Sequence, residues 1–98
     1  MAILRTITKV RPNTSVSFKL IGTNDHIKAK YVNTEKQIHY TKRLSEDGLT
    51  LTVERMFIDR DALTEFERDD KTLSEAVGQR AYNKENGIKV TKEITTLE

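Results

Sequence analysis

The stretch Ser45-Glu46-Asp47-Gly48-Leu49-Thr50-Leu51-Thr52-Val53-Glu54-Arg55-Met56-Phe57-Ile58-Asp59 decides the fold. Ser45 to Gly48 has the composition of a hairpin turn, with Gly48 where such a loop needs a left-handed backbone. From Leu49 to Ile58 the residues alternate. Leu49, Leu51, Val53 and Phe57 fall on one face, and Thr50, Thr52 and Glu54 on the other, the period of a half-buried strand. Asp59 then offers a capping carboxylate to a helix whose first turn carries Asp61. A turn, a strand and a helix start therefore follow one another directly.

Upstream, Ile38 to Leu44 supplies the other arm of the hairpin. Ala2 to Val10, rich in Ile, Thr and Val, is a first strand closed by Arg11-Pro12-Asn13. Ser15 to Leu20 fits either a short extended segment or an irregular lead into a helix. Thr23-Asn24-Asp25 supplies capping side chains, and Asp25 to about Lys36 reads as a helix with Ile27, Tyr31 and Thr34 along one stripe. Downstream, Leu63 and Phe66 share a helix face. Asp69-Asp70 interrupts that helix and caps a second segment bearing Leu73, Ala76, Val77 and Ala81. Asn86-Gly87 ends it, and Ile88 to Thr96 is the last strand. The order predicts a single α+β domain over residues 1–98, a ferredoxin-like β-α-β-β-α-β sandwich with a four-stranded antiparallel sheet and its helices on one face. The expected core is Leu49, Leu51, Val53, Leu63, Phe66, Leu73, Val77, Ile88 and Val90.

Apolar residues make up 36% of the chain and charged residues 33%, so the core is lean and a partner would help complete it. Seventeen bases and fifteen acids are interspersed, with no linear basic patch of the kind that marks nucleic-acid binding. With no cysteine, disulfides, thiolate catalysis and thiolate-bound metals are excluded. His26 and His39 lack metal-ligand spacing, and no phosphate-binding glycine loop, dinucleotide fingerprint or hydrolase elbow occurs, so no metal and no cofactor is expected. No membrane span and no signal peptide is legible, which points to a cytoplasmic location.

Met56-Phe57-Ile58-Asp59 followed by Asp61-Ala62-Leu63-Thr64-Glu65-Phe66, after the hairpin, resembles the antibiotic-biosynthesis-monooxygenase-like group of dimeric α/β barrels. Phe57 and Ile58 stand where that group often has a tryptophan. The resemblance implies a homodimer and allows an oxygenase that uses no cofactor. The chain is also similar to small marine cyanophage proteins through Ala2–Thr14, Ser45–Thr52 and Ala81-Tyr82-Asn83, a likeness that carries no biochemistry.

Three groups of residues are candidates for function. Tyr31, His39, Arg55 and Tyr82 could line a small-molecule pocket. Arg5, Lys42, Arg55 and Lys92 each interrupt an apolar strand face. They either reach out to solvent and pair with helix acids such as Glu67 or Glu75, or together line an anion-binding pocket between sheet and helices. Thr6, Thr8, Thr41, Thr50, Thr52 and Thr91 dominate the opposite face, where a threonine-rich, charge-poor surface suits packing on a second copy of the sheet, with Thr95 to Glu98 reaching across.

The leading expectation is a non-enzymatic homodimeric accessory or structural protein, of phage origin. The alternative is a cofactor-independent, monooxygenase-like or small-ligand-binding enzyme. An RNA-binding module is disfavoured, because the third strand's sole aromatic, Phe57, lies on the helix-covered face. A pocket with convergent polar side chains would favour the alternative, and a solid core the first reading.

Overall fold

In the computed structural model, residues 1–18 and 24–97 are described. The chain forms β1 (Ile3–Val10), a short α1 (Asn24–Ile27) continued by a wide turn through Val32, β2 (Gln37–Leu44), β3 (Thr50–Phe57), α2 (Arg60–Arg68), α3 (Asp70–Glu85) and β4 (Lys89–Thr96). The strands make one antiparallel sheet in the order β2-β3-β1-β4, and the architecture is ferredoxin-like. The expected cap at Thr23, the Leu20 end of the lead-in and Glu98 lie outside the described residues.

The turn chemistry acts where the sequence placed it. Gly48 has φ +74° and Gly87 φ +72°. Asp59 accepts from the Ala62 N–H at 2.8 Å, opening α2. Asp69 sits in extended backbone between the two helices and accepts from the N–H groups of Lys71 and Thr72, which starts α3. The first helix is a correction. Regular α-helix covers only Asn24–Ile27, a wider turn carries the chain to Val32, and Glu35 adopts φ 62°.

The core is off-centre. Ile3, Ile27, Tyr31, Phe57, Ala62, Leu63 and Phe66 pack at one end of the sheet. Tyr31, Phe57 and Phe66 are wholly enclosed, with an edge contact between Tyr31 and Phe66 at 5.4 Å and a tilted contact between Phe57 and Phe66 at 5.1 Å. Of the expected core, Leu51, Leu63, Phe66 and Ile88 are buried, and Leu49 and Val53 are half-buried. Leu73, Val77 and Val90 are corrections, being 46%, 62% and 46% exposed. For the two helical residues the reason lies in α3, which turns Thr72, Gln79 and Asn83 inward and leaves Leu73 and Val77 outside.

Candidate ligand-binding cavity

The sheet register brings the strand cations together. Arg5 on β1 stands opposite Arg55 on β3, and Arg55 in turn opposite Tyr40 on β2. In the next row on the same face, Lys42, Val53, Ile7 and Lys92 lie side by side across all four strands. Lys9 follows, between Leu51 and Val90. These rows lie beyond the aromatic core, where α3 spans the sheet without large apolar side chains to fill the space beneath it.

The result is a cavity of about 550 Å³ between the sheet and α3. Its floor carries Arg5, Lys9 and Arg55, of which Lys9 and Arg55 are only 5% and 6% exposed. Lys42, Arg80, Lys84 and Lys92 add four solvent-exposed cations. Thr72, Ala76, Gln79 and Asn83 come from α3, at spacings of four, three and four that keep them on one helix face. No acidic residue is among the described residues lining the cavity.

Each floor cation is held by contacts of its own. Arg55 donates from Nη1 to the side-chain oxygen of Gln37 at 3.1 Å, and its guanidinium stacks 4.6 Å from the Tyr40 ring centre and 5.3 Å from that of Phe66. No carboxylate among the described residues pairs with it. Burial lowers the Arg55 pKa, and the charge of Arg5 lowers it further. Arg5 flanks the other side of the same cluster, 5.4 Å from the Phe66 ring centre. It donates to Glu67 at 3.3 Å, and Lys92 pairs with the same carboxylate oxygen. Glu67 thus answers two of the cations from α2, as one of the two sequence expectations had it. Lys9 donates to the Gln79 side-chain oxygen at 2.9 Å, and burial and then the charge of Arg5 lower its pKa. Thr72 Oγ1, Gln79 Nε2 and Asn83 Oδ1 are buried with no hydrogen-bond partner among the described residues.

The sequence-level candidates are therefore divided. Arg5, Lys42, Arg55 and Lys92 all line the one cavity. Of the other set, Arg55 alone does. Tyr31 lies inside the aromatic core, where its hydroxyl donates to Asp69 at 2.8 Å. His39 pairs with Met56 on the opposite face of the sheet, exposed. Tyr82 points its hydroxyl at the Ser17 carbonyl, 2.6 Å away. Thr6, Thr8, Thr41, Thr50, Thr52 and Thr91 share the open face with Glu54, which accepts from Arg43 at 3.0 Å. Lys9, Arg80 and Lys84 were missed. Lys9 continues the Ile3, Arg5, Ile7 alternation and was legible; the two α3 cations depended on which helix face turned inward.

Among solved structures, the fold is that of antibiotic-biosynthesis-monooxygenase-like, ferredoxin-like proteins. The chain superposes on SnoaB, a cofactor-independent oxygenase from Streptomyces nogalater, with TM-score 0.69 at 12% identity, over 99% of this chain and 93% of that one. A candidate antibiotic biosynthesis monooxygenase from Caulobacter crescentus matches with TM-score 0.65 at 13% identity, covering 98% and 91%. A dimeric ferredoxin-like protein from an uncultured marine organism matches with TM-score 0.60 at 12% identity, covering 99% and 97%. No protein-family model matches the sequence, and no curated protein matches it. At these identities the likeness is one of fold, and the chemistry has to be read from the residues.

Proposed function

We propose that this chain is a small-molecule-binding protein that works as a homodimer, with the cavity under α3 as its ligand chamber. The observation that carries the reading is the inverted helix. α3 buries Thr72, Gln79 and Asn83 while Leu73 and Val77 stay in solvent. A helix serving only stability would do the reverse, because each large aliphatic side chain contributes about 1.5–3 kcal/mol on burial. Three buried polar atoms with no partner among the described residues add a further cost of about 1–3 kcal/mol each. A fold that gives up this much packing leaves room for something else, and the cavity size suits a small organic ligand. Among the described residues, the aromatic and aliphatic core cluster lies at the other end of the sheet.

Ala76 tests the chamber, since it is the smallest α3 side chain lining it. Thermal melts with a panel of uncharged aromatic and anionic small molecules should raise the melting temperature of the wild type for at least one class. Ala76→Phe, which fills the space, should melt at or above the wild-type temperature without ligand and should lose that response. An unchanged response in Ala76→Phe would move ligand binding out of the cavity.

A cofactor-independent oxygenase is the catalytic form of the same reading. Its support is the description of a structural neighbour, and oxygen uptake by purified protein with a bound phenolic compound tests it. The homodimer draws support from the open, threonine-rich sheet face and from the neighbour described as dimeric.

A further inference from the structure

Seven of the sixteen described bases line one cavity of about 550 Å³, and none of the described acids does. Among the described residues, the nine remaining bases face fourteen acids, so the rest of the described molecule is net acidic although the whole chain carries +2. Charge has been segregated into the chamber. A lining so one-sided is self-repulsive, and its buried members are desolvated as well. Arg55 shows this most clearly, buried against Phe66 and Tyr40 with, among the described residues, only a neutral amide as hydrogen-bond partner. Such a guanidinium retains several unused donors in a planar fork, the geometry that recognises carboxylate or phosphate oxygens.

We infer that the chamber binds a small organic polyanion, bearing two or more carboxylate or phosphate charges, with the guanidiniums of Arg55 and Arg5 on the central strands of the cavity floor and Lys42 and Lys92 beside them on the two edge strands. This rests on the chamber reading above and names its ligand class. The cations stand in two depths. Arg5, Lys9 and Arg55 form the desolvated layer, where a charge-assisted hydrogen bond is strong. Lys42, Arg80, Lys84 and Lys92 form the exposed layer, which attracts an anion from solution and is screened by salt. Glu67 answers Arg5 and Lys92 with one carboxylate between them, and a compact molecule with separated oxyanions could reach Arg55 in the deeper layer and Lys42, Arg80 and Lys84 in the exposed one. Thr72 Oγ1, Gln79 Nε2 and Asn83 Oδ1 are a hydroxyl, an amide donor and an acceptor on the α3 side of the same chamber. They suit the neutral polar part of such a ligand, a hydroxyl or a bridging oxygen.

Isothermal titration with pyrophosphate, citrate, inorganic phosphate and uncharged indole, at low and at physiological ionic strength, tests the inference. The expected order is pyrophosphate or citrate above phosphate, with indole weakest and affinity falling as salt rises. Preference between the first two distinguishes a phosphate from a carboxylate ligand. Arg55→Met should weaken the preferred anion by about tenfold or more. Circular dichroism checks that variant's fold, and the doubly substituted Lys42→Gln, Lys92→Gln protein, altered only at exposed positions, should weaken binding and flatten the salt dependence. Lys28→Gln, a cation outside the cavity, should change nothing. Equal losses in Lys28→Gln and in the double variant would reduce the effect to general surface charge and overturn the inference. Binding of indole but of no anion, lost in Ala76→Phe, would overturn the anionic ligand while leaving the chamber intact. Binding of neither would overturn both.

Discussion

At the scale of single residues, Asp69 does more than any other described side chain to hold the helical layer together. It is buried, and its carboxylate meets His26 Nε2 at 2.9 Å, accepts from Lys30 Nζ at 2.9 Å and from Tyr31 Oη at 2.8 Å, and caps α3 through Lys71 and Thr72. Burial alone would raise its pKa. The hydrogen bonds from His26, Lys30 and Tyr31 outweigh that and hold its carboxyl well below the usual carboxylate range. The stabilisation is therefore complete above the unfolded-chain value of about 3.9 and is lost as pH falls through the lower folded-state value. Asp69→Asn should cost about 2–4 kcal/mol at neutral pH, seen in urea denaturation, and should make stability less dependent on pH in the acid range. Wild-type acid dependence in that variant would show that other carboxylates govern it. Gly48 and Gly87 are a simpler case. A Cβ at either would meet neighbours no closer than 3.4 Å, so the cost of Gly→Ala there, about 1 kcal/mol each, comes from positive φ. Denaturation midpoints indistinguishable from wild type would contradict this.

At the scale of elements, α3 is where pattern and packing part company. Leu73, Val77 and Ala81 form an apolar stripe, and Thr72, Ala76, Gln79 and Asn83 form a more polar one beside it. Local pattern favours burial of the first. The structure turns the second toward the sheet, burying Thr72, Gln79 and Asn83 and half-burying Ala76, because the start of α3 is fixed at Asp69, which is itself tied to Tyr31 and to His26 of α1. Asp69 thereby sets the rotation of the helix about its axis. The prediction is asymmetric. Leu73→Ala and Val77→Ala should each cost less than about 1 kcal/mol, whereas Leu63→Ala in α2 should cost about 2–5 kcal/mol. Chemical denaturation of the three variants measures the contrast, and equal losses would mean that α3 turns its Leu73 and Val77 stripe toward the sheet. β3 behaves in the opposite way. Its alternation was legible from Leu49 to Ile58 and holds from Thr50 to Phe57, because a strand paired on both sides has only two faces to choose from.

At the scale of the whole molecule, the open side of the sheet is where the proposed homodimer would form. Thr6, Thr8, Thr41, Thr50 and Thr52 are all half-buried within the single chain, with Thr91 exposed beside them. Two such faces can stack about 10 Å apart, and a stable interface needs at least about 1,000 Å². Light scattering at micromolar concentration should give twice the 11.3 kDa chain mass, and Thr52→Lys should halve it without loss of helical circular dichroism. A monomer in the wild type would count against the homodimer.

The sequence by itself determined the order of the elements, both glycine turns, the Asp59 and Asp69 caps and the face on which Arg5, Lys42, Arg55 and Lys92 lie. Each of these follows from periodicity or backbone chemistry acting over a few residues. Only the tertiary structure decided that the four cations meet in one cavity, that Lys9, Arg80 and Lys84 join them, and that Tyr31, His39 and Tyr82 lie elsewhere. Those outcomes depend on the register of four strands and the rotation of α3 about its axis. Both are set by contacts between residues far apart in the chain, such as Tyr31 with Asp69 and Lys9 with Gln79, which no local pattern encodes.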